Sequence, residues 1–199
     1  MQIGQYEVLG EIARGGFGVV YRARDTQGSE VAIKVLLDAR DEDEVERFLR
    51  EGDAATRMSH PNLVRVHGMG RDQGRPYLVM DYVDGPTLAS RLARHGHLPL
   101  RESARLVADL ARAVSAAHAA GVLHRDLKPE NVLFEGDRPL LTDFGIARVA
   151  DARTLTQTGE LLGTPGYMAP EQIEGDRTRF GPPTDVYGLG AILSRSSPE

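Results

Sequence analysis

The first third of this 199-residue chain alternates apolar and polar positions in short runs, which is the pattern of half-buried strands. Five such runs cover residues 6–12, 19–24, 30–36, 63–69 and 76–82. A polar connection at residues 25–29 joins the second run to the third, as in a β-hairpin. The runs therefore predict a small antiparallel sheet.

Two later segments repeat apolar residues at helical spacing instead. Residues 42–58 predict a helix whose acidic start, at 41–44, matches the positive N-terminal end of the helix dipole. Its expected apolar face consists of Val45, Phe48, Leu49, Ala55 and Met58. Gly52 lies inside this helix and costs roughly 1 kcal/mol against alanine, so we expect the helix to be loosely held.

The second helix is predicted over residues 100–120, with apolar positions at 107, 110, 111, 114 and 117. Gly121 supplies its stop signal. The order of elements, strands first and helices afterwards, predicts an α+β fold with a strand-rich small lobe and a helical large lobe.

Composition narrows the class of protein. Apolar residues make up 41% and charged residues 27% of the sequence, as in ordinary globular proteins, and the net charge of -5 argues against nucleic-acid binding. The absence of cysteine excludes disulfides and thiolate zinc sites. We expect a cytoplasmic protein without a membrane segment, because no long apolar run and no signal peptide are visible.

A glycine-rich turn, residues 13–18, lies between the first two predicted strands. Glycines there allow backbone N–H groups to approach phosphates closely. A Rossmann site would need this turn to open a helix, but the β-branched residues from Val19 onward predict a strand. The chain also lacks the Gly-x4-Gly-Lys-Ser/Thr pattern of a P-loop.

The most specific motif runs from His124 to Asn131, and Asp143-Phe144-Gly145 follows it. Asp126 is placed to receive a hydroxyl proton, with Lys128 two residues on and Asn131 five residues on. A second carboxylate, Asp143, comes after a predicted short hairpin. These residue types suit phosphoryl transfer from a metal-bound nucleotide, where the protein positions and neutralises more than it reacts.

On these motifs, together with the sequence Val-Ala-Ile-Lys at 31–34, residues 6–193 resemble the protein-kinase catalytic domain. The sequence of residues 76–85 is most similar to that of the bacterial, eukaryotic-like (Hanks-type) serine/threonine kinases. The resemblance implies a bilobal fold with an N-lobe at about 6–83 and a C-lobe at about 84–193. It also implies transfer of the γ-phosphoryl group of Mg-ATP to serine and threonine hydroxyls of protein substrates.

The resemblance assigns roles to individual residues. Asp126 would be the catalytic base, Lys128 would steady the transferred group, and Asn131 and Asp143 would hold Mg²⁺. The residues implied in ATP binding are Ile12, Ala13, Gly15, Gly16, Phe17, Gly18, Val20, Ala32, Lys34, Glu51, Met80, Asp81, Val83 and Leu133.

Within the ATP set, Val20, Ala32 and Leu133 would sandwich the adenine, and Met80 would be the gatekeeper. The backbone of residues 81–83 would bond the base. Lys34 would reach the α- and β-phosphates when fixed by Glu51. Ala13 departs from the family pattern, which has glycine at that position.

Residues 143–171 correspond to the family's activation segment. Thr154, Thr156 and Thr158 are candidate phosphorylation sites, and Arg125 is the cation that would pair with a phosphate there. His95 and His97 flank a glycine, but the sequence shows no third ligand near them, so we do not expect a metal site there.

After Leu193 the sequence stops matching the family, and residues 194–199 form a polar tail. We expect these serines not to extend the apolar helix that starts near Asp185. The family's basic partner for Glu171, from later helices, is not expected here either. Three interpretations stay open: an active kinase, a truncated and catalytically poor nucleotide-binding fragment, or a non-enzymatic interaction module. Of these, only the non-enzymatic interaction module is disfavoured, because every catalytic position carries a residue type that is competent for catalysis.

Overall fold

A computed structural model describes residues 1–15, 18–37, 42–144 and 165–198. The chain divides into two compact units, which are described separately. Within the described ranges, the first unit comprises Met1–Ser59 and Val64–Val83, and the second comprises His60–Leu63 and the residues from 84 onward.

The first unit is built on one antiparallel sheet in the order β1-β2-β3-β4-β6-β5. Its strands are β1 (Gln2–Ile3), β2 (Tyr6–Gly15), β3 (Gly18–Arg24), β4 (Glu30–Leu36), β5 (Val66–Asp72) and β6 (Arg75–Asp81). The connection between β3 and β4 is fixed by Asp25, whose side chain accepts hydrogen bonds from the backbone N–H groups of Gln27 and Ser29. Each predicted strand is thus present, and β2 and β5 differ most from their predicted bounds.

Side chains alternate across this sheet, so each strand contributes to both faces. One face is packed into an apolar cluster of buried residues: Ile3, Ala23, Val31, Ile33, Val35, Tyr77 and Val79. The other face carries the remaining positions of β3, β4 and β6, which include the predicted nucleotide-binding residues.

Helix α1 (Glu42–Thr56) packs against strands β5 and β6 of the sheet in the first unit. Gly52 has a packing role there: a Cβ at this position would lie 3.1 Å from Met69 Cε and 3.2 Å from Leu78 Cδ1. The missing side chain therefore allows the helix to approach β5 and β6 closely. Of the predicted face, Leu49 is only half-buried and the other four residues are buried.

The second unit is mainly helical. Its helices are α2 (Leu88–His95), α3 (Leu100–Ala119), α4 (Pro170–Glu174) and α5 (Pro182–Ser196), and a hairpin is formed by β7 (Val132–Glu135) and β8 (Arg138–Leu141). A parallel bridge between Leu63 and Leu141 joins the hairpin to the preceding loop of the same unit. Among the described helices, none combines the length and apolar character that crossing a membrane requires.

Two expectations about the helices are wrong in detail. The buried stripe of α3 includes Leu106 and Ala113, whereas the predicted positions Val107 and Ala111 are only half-buried. The error arises because alanine-rich repeats fit two neighbouring helical faces almost equally well.

Helix α5 also continues through Ser194 and Arg195 to Ser196, three residues beyond its expected end. Ser196 is completely buried, and its carbonyl accepts hydrogen bonds from the Leu98 N–H at 2.8 Å and the Ser103 hydroxyl at 3.0 Å. These tertiary contacts outweigh the weak helix propensity of serine.

Candidate active site

The register of the first unit places five predicted nucleotide-binding residues on one face of the sheet. Val20 is paired with Lys34, and Ala32 is paired with Met80. Ala32 and Lys34 are two residues apart in β4, so their side chains point to the same side. Ala13 in β2 is paired with Val20 and belongs to the same face.

The glycine-rich turn is described on both of its flanks. Gly15 is paired with Gly18, and a Cβ on Gly18 would lie 2.2 Å from the backbone oxygen of Val35. Only glycine allows β3 to start so close to β4. Ile12 is exposed on β2. The predicted contacts of Gly16 and Phe17 lie outside the described residues.

Lys34 and Glu51 lie in neighbouring parts of the first unit. Both side chains are half-buried. Gly52, which follows Glu51, is packed against Leu78, and Leu78 is the register partner of Lys34. The close packing at Gly52 thus brings the turn of α1 that carries Glu51 towards the strand position of Lys34.

The predicted hinge follows directly from β6. The Asp81 N–H donates a hydrogen bond to the Arg65 carbonyl at 3.0 Å, and the Asp81 carboxylate lies 2.7 Å from His67 Nε2. The backbone N–H of Asp81 is thus already hydrogen-bonded within the first unit. Met80 is buried before it, and Val83 is half-buried after it.

In the second unit, the structure brings the three predicted catalytic residues together. Lys128 Nζ lies 2.9 Å from Asp126 Oδ2. The Asn131 side-chain nitrogen donates hydrogen bonds to the Asp126 carbonyl at 2.7 Å and to Asp126 Oδ2 at 3.2 Å. With its nitrogen bound to Asp126, the Asn131 amide presents its oxygen as the acceptor for a cation.

The hairpin β7–β8 then brings Asp143 to the same end as Asn131. The Thr142 N–H donates a hydrogen bond to the Asn131 carbonyl at 3.0 Å, directly beyond the paired residues Val132 and Leu141. A carboxylate and an amide oxygen at one end of a hairpin are suitable ligands for Mg²⁺. Leu133, predicted to contact the adenine, is half-buried in β7.

Two residues of this region adopt left-handed backbone conformations that are unusual outside glycine. Arg125 has φ +61° and Asp143 has φ +59°. Such conformations cost on the order of 1–3 kcal/mol each and persist only where the surroundings enforce them. Their position on either side of Asp126 and Asn131 indicates a loop that is shaped for a function.

His124 ties this loop to the hairpin from inside the unit. It accepts a hydrogen bond on Nδ1 from the Asp126 N–H at 3.2 Å, and its Nε2 therefore carries the hydrogen that is donated to the Thr142 carbonyl at 3.0 Å. The ring packs against Phe144 with 4.7 Å between centroids. Complete burial lowers the pKa of His124 below its ordinary value, so the ring is held neutral.

Comparison with known proteins decides the family. The family described as "Protein kinase domain" matches residues 6–196. The chain belongs to the protein kinase family. The predicted α+β fold, with a strand-rich unit followed by a mainly helical one, is thereby confirmed.

Individual relatives agree with this assignment. The serine/threonine-protein kinase PkaA of Streptomyces coelicolor is 46% identical over 92% of this chain and 36% of that protein. PknK of Mycobacterium tuberculosis is 46% identical over 94% of this chain and 17% of that protein. The chain thus spans about a third or less of these relatives. The crystal structure of the Mycobacterium tuberculosis PknI kinase domain has a TM-score of 0.79 and 30% identity, covering 98% of this chain and 75% of that one.

Sequence reasoning missed Asp185 as part of this kinase site. This carboxylate is almost completely buried at the start of α5. It accepts hydrogen bonds from the backbone N–H groups of His124 at 2.9 Å and Arg125 at 2.7 Å, and from His118 Nε2 at 2.7 Å. The available signal was an acidic residue inside an otherwise apolar helix, which is rare unless the carboxylate has partners.

Glu171 also has a partner that the sequence did not suggest. Although no basic residue was expected for it, its carboxylate accepts a hydrogen bond from the Thr184 hydroxyl at 2.7 Å. This hydrogen bond holds the pKa of Glu171 below its ordinary value. The nearby Gln172 donates from Nε2 to the Arg125 carbonyl at 2.8 Å and so links α4 to the catalytic loop.

The predicted phosphorylation sites Thr154, Thr156 and Thr158 lie outside the described residues.

Proposed function

We propose that this chain transfers the γ-phosphoryl group of Mg-ATP to serine and threonine hydroxyls of protein substrates. One observation carries the proposal: Asp126, Lys128 and Asn131 are in direct contact, and the β7–β8 hairpin brings Asp143 to the end that carries Asn131. The names of PkaA and PknK, both serine/threonine-protein kinases, support the same activity.

In this mechanism, Asp126 accepts the proton of the substrate hydroxyl as the hydroxyl oxygen bonds to the γ-phosphorus, and the bond from the γ-phosphorus to the bridging oxygen breaks to release ADP. Lys128, whose Nζ lies 2.9 Å from Asp126 Oδ2, would stabilise the negative charge of the transferred group. Asn131 and Asp143 would hold Mg²⁺, since this ion is bound through one or two carboxylates together with substrate phosphates. When bound, ATP would supply the phosphoryl group and Mg²⁺ would neutralise part of the phosphate charge.

The nucleotide contacts of the proposal fall mostly on the first unit. Val20, Ala32 and Met80 would contact the adenine, since they lie on one face of the sheet. Lys34 would reach the α- and β-phosphates, with Glu51 as its orienting carboxylate. Leu133 is the remaining residue of the proposed adenine set. A cytoplasmic location, where Mg-ATP is abundant, is part of the same proposal.

Regulation by phosphorylation of the activation segment follows from the same assignment. Thr154, Thr156 and Thr158 are the proposed acceptors, and Arg125 next to the catalytic base is the proposed partner of the phosphate. Peptide mass mapping after incubation with Mg-ATP should find phosphate on these threonines. Phosphate found solely outside residues 146–171 would reject this part of the proposal.

The test of the activity is transfer of labelled γ-phosphate from ATP to a protein substrate rich in serine and threonine, with and without a Mg²⁺ chelator. We expect Mg²⁺-dependent incorporation that hydrolysis of the product traces to phosphoserine and phosphothreonine. Binding of Mg-ATP without transfer would favour the catalytically poor nucleotide-binding fragment. Absence of Mg-ATP binding would favour the non-enzymatic interaction module.

A further inference from the structure

Helix α5 contacts residues 165–174 at two separate points. The first contact lies in its first turn, where the buried Thr184 hydroxyl donates to Glu171 Oε1 at 2.7 Å and accepts from the Gly181 N–H at 3.2 Å. A hydroxyl has a single hydrogen to donate, so Thr184 commits it to Glu171. The carboxylate that ends the family's Ala-Pro-Glu motif, residues 169–171, is thus held by α5.

The second contact lies at the other end of the helix. The Arg195 guanidinium is 5.0 Å from the centre of the Tyr167 ring. A Cβ on Gly166 would lie 2.1 Å from Arg195 Nη2, so the turn Pro165–Tyr167 is packed directly against this side chain. Burial raises the pKa of Tyr167, and the neighbouring positive charge of Arg195 opposes that shift.

The same helix also fixes the catalytic loop. Asp185, next to Thr184, accepts hydrogen bonds from the backbone N–H groups of His124 and Arg125. Arg195 lies ten residues further, or about 15 Å along the helix axis. One rigid element therefore holds the loop that carries the predicted base and the segment that the family resemblance assigns to the substrate.

We infer that Thr184 and Arg195 are positioning residues that hold residues 165–174 in register with the catalytic loop and thereby place the protein substrate. The inference rests on the proposed function for its kinetic consequence. Proximity contributes strongly to transfer reactions, because a hydroxyl displaced by about 1 Å reacts far more slowly. Loss of either contact should loosen the substrate segment while leaving the nucleotide contacts intact.

The first arm of the test measures amide hydrogen exchange in the complete chain. Thr184→Val removes the hydroxyl and keeps the shape, whereas Thr184→Ser retains the donor as a matched control. We expect exchange in residues 165–174 to be about tenfold faster in the valine variant and close to wild type in the serine variant. Unchanged exchange in the valine variant would overturn the inference.

The second arm measures the Michaelis constants of both substrates. Thr184→Val and Arg195→Met should each raise KM for the protein substrate several-fold, with KM for Mg-ATP unchanged. Gly166→Ala should act like Arg195→Met, because its methyl group displaces the guanidinium, whereas Arg195→Lys retains the charge and should be milder. Equal increases of both Michaelis constants would contradict a role in substrate placement.

The two arms separate this inference from the proposed function. A wild-type chain that transfers no phosphate defeats the proposed function, and the exchange measurement alone then decides whether α5 holds the segment. Should Thr184→Val fail to fold, Arg195→Met carries the test, because Arg195 is exposed and its removal leaves the core intact. Exchange at the wild-type rate in that variant would then overturn the inference.

Discussion

At the scale of single residues, His124 shows why a buried polar group can stabilise a catalytic loop. Its two ring nitrogens bond to the backbone on both sides of the site, at Asp126 and Thr142. The ring can make both bonds only in the neutral form, since Nδ1 must accept. Burial and the hydrogen bond that Nδ1 accepts thus favour the same, neutral protonation state.

The stability of the folded chain should therefore depend on pH through His124. Its pKa is lowered in the folded state, so below about pH 6.5 the unfolded chain binds a proton that the folded chain resists. We expect the free energy of unfolding to fall as pH drops from 7.5 to 5.5, with up to about 1.4 kcal/mol per pH unit from this group.

Urea denaturation at several pH values checks this prediction. His124→Phe should show a smaller pH slope than wild type, even though it is less stable overall. The exposed His97→Gln serves as the control for substituting a histidine and should retain the wild-type slope. Equal slopes for wild type and His124→Phe would remove His124 as the source.

The metal assignment makes a separate prediction at Asp143. Replacing this carboxylate with alanine removes a hard oxygen ligand, so Asp143→Ala should weaken Mg-ATP binding at least tenfold. Calorimetric titration with Mg-ATP measures the effect. Asp137→Ala, an exposed acid in the turn of the same hairpin, should bind as wild type does. Equal affinities of wild type and Asp143→Ala would contradict the assignment.

At the scale of elements, the sequence predicted most of what local patterns encode. The strands β3 and β4 were located within one residue, because their alternation is regular and their ends are marked by Gly18 and a polar turn. Helix α5 was predicted too short, since the partners of Ser196 come from Leu98 and Ser103, far away in sequence.

At the candidate site, too, local sequence patterns indicated contacts between neighbouring residues but not between distant ones. Asp126, Lys128 and Asn131 lie within six residues, so their spacing alone indicated a shared role. Asp185 is about sixty residues from the backbone groups that it accepts from. A single sequence contains no local pattern for such a contact, and the close packing at Gly52 was hidden for the same reason.

Helix α1 provides a test at the element scale. In an open helix, Gly52→Ala would stabilise by about 1 kcal/mol. Here the new methyl group would crowd Met69 and Leu78, and overpacking costs about 1–3 kcal/mol, so we expect a net loss of roughly 1 kcal/mol in the free energy of unfolding.

A double-mutant cycle with Met69→Ala, followed by thermal unfolding, resolves the cause. Removing the Met69 side chain should make room for the methyl group, so Gly52→Ala should cost less in that background. If Gly52→Ala stabilises the chain by the amount typical of an open helix, the packing explanation is wrong.

At the scale of the whole molecule, the proposed activity requires both units. In the proposal, Ala32 and Lys34 of the first unit would contact the nucleotide, and Asp126, Asn131 and Asp143 of the second would act as the base and the metal ligands. Membership of the protein kinase family explains why a chain with these sequence motifs divides into a strand-rich unit and a mainly helical unit. The central claim is that Asp126 acts in the chemical step rather than in nucleotide binding.

The most direct test is single-turnover transfer by Asp126→Asn, measured beside its affinity for Mg-ATP. Asparagine keeps the shape but cannot accept the hydroxyl proton as a carboxylate does, so transfer should fall about 10²–10⁴-fold. The affinity for Mg-ATP should stay within about twofold, because Asp126 acts in the transition state. Asp137→Asn is the control and should transfer at the wild-type rate. Unchanged transfer by Asp126→Asn would contradict the account.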